Sequence, residues 1–344
     1  MRSEAVPTSM TVPRFLPGGQ IDFAERPVPR PGPGQLLLQV KANALCRSEL
    51  GHYRNGTEVT LGHEAAGLVA AAGPQTTTPV GTLGVVFLMD YCGECRSCRH
   101  GFTNQCLAKR ADYGFNRDGG YGAYELVSER VFFPVPAATD PAEATLLLDI
   151  MGTGGHALRR GRLVHPDVES VLVTGAGPIG LGVLAMAKLT LGRDVPVFIT
   201  DLVPYRLALA ERLGGIPIDV RETVPLEGIR RHGMGPVDLA LDTSGRGAAR
   251  RQAVDALAKR GVLVCVGHGE DLSLTVSSDL IAPERAVLGS EYFRYDEMPG
   301  NLELFKVHRG YLAPIVTHRF PVRRIQEAFE TFVEGKTGKV VVEQ

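Results

Sequence analysis

The chain has 344 residues, enough for roughly two domains and a large core without help from disulfides. Its 37 basic and 38 acidic residues leave a net charge of -1, so no field of one sign is present to hold nucleic acid or an anionic membrane surface. With 44% apolar and 22% charged residues the composition is that of a globular protein, and no apolar run nears the roughly 20 residues that a bilayer span requires. Residues 1–19 lack a basic segment followed by an apolar core, so a cytoplasmic location is expected.

Residues 1–150 are rich in Gly, Pro and short aliphatic runs and read as a mostly β domain, with strands expected at 36–40, 67–70, 85–88 and 124–127. The segment 26–34, RPVPRPGPG, reads as extended connector, because proline removes amide donors and restricts the residue before it. From about residue 167 the texture changes. Apolar strands expected at 170–174, 197–200, 237–242 and 261–266 alternate with helical runs at 179–190, 204–213 and 248–259, the pattern of βαβ units around a parallel sheet. After residue 290 an amphipathic stretch at 298–309, a helix at 324–333 and a closing strand at 339–343 follow. The fold class is therefore α/β, with a doubly wound core at 151–291 inserted into a β-rich domain formed by 1–150 and 292–344.

The strand at 170–174 runs straight into Gly175-Ala176-Gly177-Pro178-Ile179-Gly180. In a GxGxxG turn the first glycine makes the bend, the second lets a pyrophosphate approach the backbone, and the third lets helix and strand pack closely. The next strand ends in Asp201, an acidic side chain placed to accept hydrogen bonds from a ribose 2′-hydroxyl. Its carboxylate would repel a 2′-phosphate, so NAD is expected over NADP, with Arg206 nearby as the group able to turn toward a phosphate. Ser244, Val266 and Gly267, at the ends of later strands, are expected to hold the nicotinamide.

Six cysteines are unevenly placed, and four of them, Cys92, Cys95, Cys98 and Cys106, fall in one lobe at about 90–107. In a reducing compartment such a cluster binds metal rather than forming disulfides. Four thiolates suit tetrahedral structural zinc; the ferredoxin spacing of an iron-sulfur cluster, with three residues before the fourth cysteine and proline after it, is absent. Cys46 in Cys-Arg-Ser-Glu, His63-Glu64 in Gly-His-Glu-Ala-Ala-Gly, and Asp149 after an apolar run are the separate pieces of a second site. An open zinc site is what hydride transfer from an alcohol needs, because it makes the hydroxyl acidic.

Taken together, Cys-x-Ser-acid, GHExxG, the four-cysteine lobe, the internal GxGxxG and the closing Gly338-Lys339-Val340-Val341-Val342 resemble the zinc-dependent medium-chain dehydrogenase/reductase family, over essentially the whole chain. The resemblance implies a GroES-like catalytic domain with an inserted Rossmann domain. It implies two zinc ions per chain, the catalytic one on Cys46, His63 and Asp149, with Glu64 as a fourth ligand or a partner for bound water. Asp149 departs from the Cys2His set of alcohol dehydrogenase and is similar to the sorbitol dehydrogenase-like subgroup. Ser48 would take the alcohol proton, and Glu49, where Asp is usual, would orient His63. His52 reads as a surface residue and His156 as a helix-start residue.

Phe293-Arg294-Tyr295 is similar to a Phe-Arg-Tyr segment of polyol dehydrogenases. Arg294 and Tyr295 are accordingly expected at the substrate, where a guanidinium could bind neighbouring hydroxyls; the alternative is an Arg bound to carbonyls or paired with Asp296 or Glu297. The expected activity is NAD-linked oxidation of a secondary hydroxyl of a polyol, sugar or cyclitol. The alternatives are a secondary-alcohol or aldehyde dehydrogenase for small apolar substrates, or a member of the family without turnover. The run 285–289 resembles the edge strand through which family members pair, implying a homodimer or homotetramer.

Overall fold

The computed structural model describes residues 6–344, so the first five residues of the expected β-rich domain lie outside the described residues. A six-stranded sheet contains, in spatial order, Ile216–Asp219, Val197–Asp201, Val171–Thr174, Val237–Asp242, Leu257–Cys265 and Ala286–Gly289. Every neighbouring pair is parallel. Successive side chains face opposite ways: Val171, Val173, Leu239 and Leu241 join the core with helix Pro178–Thr190, whereas Leu172, Ala240 and Leu263 pack with Ala253 and Val254 of helix Gly247–Asp255. Burial on both faces explains the nearly unbroken apolar strands. The chain winds away from Val171–Thr174 in both directions, and such a reversal opens a crevice beyond the carboxyl ends of the strands.

A seven-stranded sheet contains, in order, Val316–Pro321, Lys339–Glu343, Gln35–Ala44, Ala65–Ala72, Leu83–Val86 and Phe132–Pro134, with Tyr124–Ser128 also paired to Gln35–Ala44. Val341 lies opposite Ala44, so the end of the chain is stitched beside the segment that leads into Cys46. The parallel sheet thus falls, in sequence, between two parts of the other. Among the described residues, no helix is long and apolar enough to cross a membrane.

The expected connector at 26–34 begins later, because Arg26 and Pro27 pair with Met10 and Ser9 in a hairpin of Ser9–Leu16 and Gln20–Pro27. Its turn uses Gly18 and Gly19 at φ 85° and 75°, conformations that a Cβ disfavours. The helix expected at 248–259 stops at Asp255, since Leu257 already pairs with Val237. The strand expected at 85–88 is Leu83–Val86. Ile216–Asp219 and helix Pro225–Arg231 complete the parallel layer unannounced; Pro217 hid the strand from a pattern reading and is tolerated because the strand lies at the sheet edge.

Candidate active site

The cysteine lobe closes on itself. Met89–Asp90 and Ala111–Asp112 pair antiparallel at its base, and the sulfurs of Cys92, Cys95, Cys98 and Cys106 lie within 4.8 Å of one another, none in a disulfide. Backbone N–H groups aim at them: Cys92 donates to Cys106 Sγ at 3.2 Å, Cys95 to Cys92 Sγ at 3.3 Å and Leu107 to Cys95 Sγ at 3.4 Å. The N–H groups of Cys98 and Leu107 push the Cys95 thiol down to about 6, and those of Glu94 and Cys95 lower Cys92. Burial pushes the Cys98 thiol the other way, up to about 12, but four converging sulfurs met by N–H donors fit a closed tetrahedral metal site.

The second cluster is assembled from distant segments. Cys46 follows strand Gln35–Ala44, His63 and Glu64 precede Ala65–Ala72, and Asp149 opens the π-helical turn Asp149–Thr153. One ligand atom from each of Cys46, His63, Glu64 and Asp149 lies within 4.8 Å of the others. His63 Nε2 is 3.8 Å from Asp149 Oδ2 and 3.9 Å from Glu64 Oε1. Gly62 sits at φ 105°, and a Cβ there would lie 2.7 Å from the backbone nitrogen of Tyr121, so the turn that presents His63 requires glycine. Asn43 Oδ1 accepts from the backbone N–H of Glu64 at 3.2 Å, fixing that turn from the neighbouring strand.

Electrostatics single this cluster out. The thiol of Cys46 and the carboxyls of Glu49, Glu64 and Asp149 converge here, facing His63 and Lys339. Lys339, wholly buried, pairs with Glu64 Oε1, and Glu64 Oε2 is buried without a partner. Burial and the charge of Asp149 push the Glu64 carboxyl well above its usual range. Burial opposes ionisation of Asp149 too, but His63 and Lys339 outweigh it and hold that carboxyl low. Sulfur, imidazole and carboxylate donors with an orphaned carboxylate oxygen fit a divalent cation, whose charge offsets the repulsion.

Beside the cluster lies a cleft of 880 Å³ at the carboxyl ends of the parallel strands. It is lined by Gly175, Gly177, Pro178, Ile179, Gly180, Asp201, Arg206 and Ser244 from the parallel-sheet layer, facing Cys46, Arg47 and Arg54. Gly175 takes φ 94°, and a Cβ on Gly180 would lie 1.8 Å from the carbonyl oxygen of Gly175. Asp201 Oδ2 accepts from the N–H of Ala176 at 2.8 Å, and Arg206 Nη1 stands 4.0 Å from the same oxygen. A glycine turn opening a buried helix, with a carboxylate at the end of the adjacent strand, suits a dinucleotide.

Residues 32–137 match the alcohol dehydrogenase GroES-like domain and residues 178–306 the zinc-binding dehydrogenase domain. The chain is 30% identical over 351 residues to an uncharacterized zinc-type alcohol dehydrogenase-like protein, YphC, of Escherichia coli K12, covering 95% of this chain and 97% of the relative. It is 31% identical over 345 residues to the L-threonine 3-dehydrogenase of Saccharopolyspora erythraea, covering 95% and 96%. The crystal structure of 2R,3R-butanediol dehydrogenase from Bacillus subtilis superposes with a TM-score of 0.85 at 26% identity, over 97% of this chain and 99% of that one. The chain belongs to the zinc-dependent medium-chain dehydrogenase/reductase family. It is an oxidoreductase acting on CH–OH groups, in a family of zinc-binding dehydrogenases. A family member without turnover is thereby set aside.

Within this dehydrogenase frame the remaining expected residues separate. Glu49 is wholly buried, with Oε1 2.8 Å from His63 Nδ1. Ser48 is exposed on the short helix Arg47–Glu49, two positions from Cys46. Val266 and Gly267 do not line the cleft; their N–H groups bind the carbonyl of Asp242 at 2.8 and 2.9 Å and fix the end of the strand. Arg294, expected at the substrate, is turned toward the lobe: its Nε donates to Gly101 O at 2.9 Å and to Asp296 Oδ1 at 3.0 Å, and its guanidinium lies over the Phe102 ring. Tyr295 likewise gives its hydroxyl to Phe132 O at 2.9 Å. Arg294 thus meets the cysteine lobe through a carbonyl, the alternative open to the sequence, and Tyr295 meets the strand Phe132–Pro134. His156 Nδ1 lies 3.0 Å from Glu297, a structural contact, and His52 is half-buried near the Phe115 ring. Asn43 and Phe115, whose ring centroid is 4.9 Å from that of His63, give no signal in the sequence, and Lys339 stands out there only as part of the closing motif, because each meets the cluster through tertiary packing.

Proposed function

We propose that the enzyme oxidises, reversibly and with NAD, a secondary hydroxyl whose neighbouring carbon bears a second polar group, as in a polyol, sugar or cyclitol. The observation that carries the reading is that Cys46 belongs both to the metal-binding cluster and to the wall of the dinucleotide cleft, which brings a reacting carbinol within reach of both cofactors. In this reading Cys46, His63 and Asp149 hold one zinc ion, with Glu64 nearby, and the four cysteines of the lobe hold a second. When bound, the cluster zinc and the nicotinamide supply Lewis acidity and a hydride acceptor. Ser48 receives the hydroxyl proton and passes it outward to water. Glu49 holds His63 in the tautomer that leaves Nε2 free to coordinate. Asp201 accepts from the adenosine ribose and disfavours a 2′-phosphate, while Arg206 and Arg47 face the anionic part of the dinucleotide.

L-threonine and 2R,3R-butanediol, named in two of the related proteins, both carry a secondary carbinol beside a polar neighbour, which supports the substrate class. A small apolar secondary alcohol is the second reading, favoured by the commitment of Arg294 to Gly101 and by Phe115 beside His63. Initial rates with sorbitol, inositols, 2,3-butanediol, L-threonine and 2-butanol, each with NAD and NADP, separate them: preference for 2-butanol overturns the first. Replacing Asp201 with Ala should lower kcat/KM for NAD about tenfold or more and raise that for NADP. We further propose a homodimer or homotetramer built on the half-buried edge strand Ala286–Gly289, measurable by light scattering, in a reducing compartment where all six cysteines stay free.

A further inference from the structure

Glu49 carries more than the orientation of one ring. Its carboxylate is wholly buried, and its two oxygens are divided: Oε1 meets His63 Nδ1 at 2.8 Å, while Oε2 accepts the hydroxyl of Tyr121 at 2.8 Å and lies 3.4 Å from the backbone N–H of Cys46. One carboxylate thus touches the segments that supply two of the metal ligands. Tyr121 is itself fully buried, so its hydroxyl has no water to bind and its phenol is pushed well above its usual range by burial and by Glu49, which keeps it a donor.

The position of that hydroxyl is fixed relative to His63 by backbone as well as by packing. Residues 119–121 pair with the loop that leads into His63: Gly119 N–H donates to Thr60 O at 2.8 Å, Gly120 N–H to Gly62 O at 2.7 Å and Tyr121 N–H to Leu61 O at 3.1 Å. On the other side the Tyr121 ring packs against Phe15 and Phe329. A glutamate has one more rotatable bond than an aspartate, and a carboxylate held through one oxygen alone can turn about its axis. With both oxygens held, the carboxylate plane is set, and with it the direction of His63 Nε2 toward Cys46 and Asp149.

We propose that Tyr121 is a positioning residue of the cluster metal site, acting through Glu49 on His63; the inference rests on the cluster being a zinc site. Removing only the hydroxyl leaves the ring packing and releases the second oxygen of a buried carboxylate. The expected result for Tyr121→Phe is loss of the cluster zinc to a chelator about tenfold faster than in wild type, with the lobe zinc unchanged. The cobalt-substituted protein should show a displaced visible d–d band. Tyr53→Phe serves as control: it removes a hydroxyl from the same aromatic group, where Tyr53 stacks on Phe329 and accepts from Gln326, without touching Glu49. That variant should lose zinc at the wild-type rate.

A double cycle with Glu49→Gln completes the test, since adding Tyr121→Phe should then change the rate less than twofold. Equal zinc loss and equal cobalt spectra for wild type and Tyr121→Phe overturn the proposal. So does an effect of the same size in Tyr53→Phe, which would mark general loosening of the aromatic core. Wild-type protein that binds one zinc only, in the lobe, fails the underlying metal assignment instead and is read before any variant is made.

Discussion

The two clusters of converging donor side chains solve the same packing problem in opposite ways. In the cysteine lobe all four ligands come from one short stretch, their orientation set by backbone N–H groups of the same loop. In the buried cluster the ligands come from three separate segments, and side chains do the aligning: Glu49 behind His63, Lys339 on Glu64, Thr153 Oγ1 on Asp149 Oδ1 at 3.1 Å. The lobe is thus oriented locally, by its own backbone. The buried cluster forms where those segments meet in the folded chain. Local ligand sets suit structural sites, whereas a dispersed set places a reactive ion at the meeting point of substrate and dinucleotide.

The contrast is most easily broken by removing one ligand from each cluster. Asp149→Ala should reduce dehydrogenase turnover at least about a thousandfold and lower zinc content from two to one per chain, with circular dichroism unchanged. Retained turnover with two zinc ions would refute the ligand assignment. Cys98→Ser should do the reverse, losing the lobe ion and lowering the melting temperature by several degrees while the buried ion stays bound. Zinc analysis and calorimetry on the two variants together decide whether the clusters are independent.

Smaller effects sharpen the picture at the seam between the lobe and the body. Because Arg294 is engaged by Gly101, Asp296 and Phe102, Arg294→Ala should leave substrate KM within about twofold and instead speed zinc loss from the lobe; a tenfold rise in KM would restore it to the substrate. Glu297 accepts from Arg159 and lies against His156. Burial alone would raise its carboxyl, but these two partners hold it below its usual range. A depressed folded-state value contributes stability above the unfolded-state pKa, and this contribution is lost as pH falls through the folded one. Glu297→Gln should therefore be about 1 kcal/mol less stable than wild type at pH 7 and no different well below pH 4, as denaturant melts at both pH values would record.

What was legible in the residues followed the same division. The lobe could be read from spacing alone, and the dinucleotide turn from glycines placed between a strand and a helix. The buried cluster could be named only through family resemblance, because nothing about Cys46, His63 or Asp149 in isolation separates a ligand from a packed core residue. At Arg294 the Phe-Arg-Tyr string is legible, but the contacts of its guanidinium with Asp296 two residues on and with the Gly101 carbonyl of the lobe come from tertiary packing. Glu49 fared better, since the longer acid still reaches His63, with Tyr121 holding its far oxygen. Strand Ile216–Asp219 escaped notice for a local reason, the proline at its centre.

The π-helical turn that begins at Asp149 lies directly against the helix that follows the glycine turn. A Cβ on Gly182 would come within 2.4 Å of the carbonyl oxygen of Ile150, and one on Gly154 within 2.8 Å of the backbone nitrogen of Val183. Main chain bears on main chain there, with no compliant side chain to absorb slippage. The turn that carries Asp149 and the helix that follows the glycine turn are in effect meshed backbone to backbone, and even a single methyl group at Gly182 would jam them.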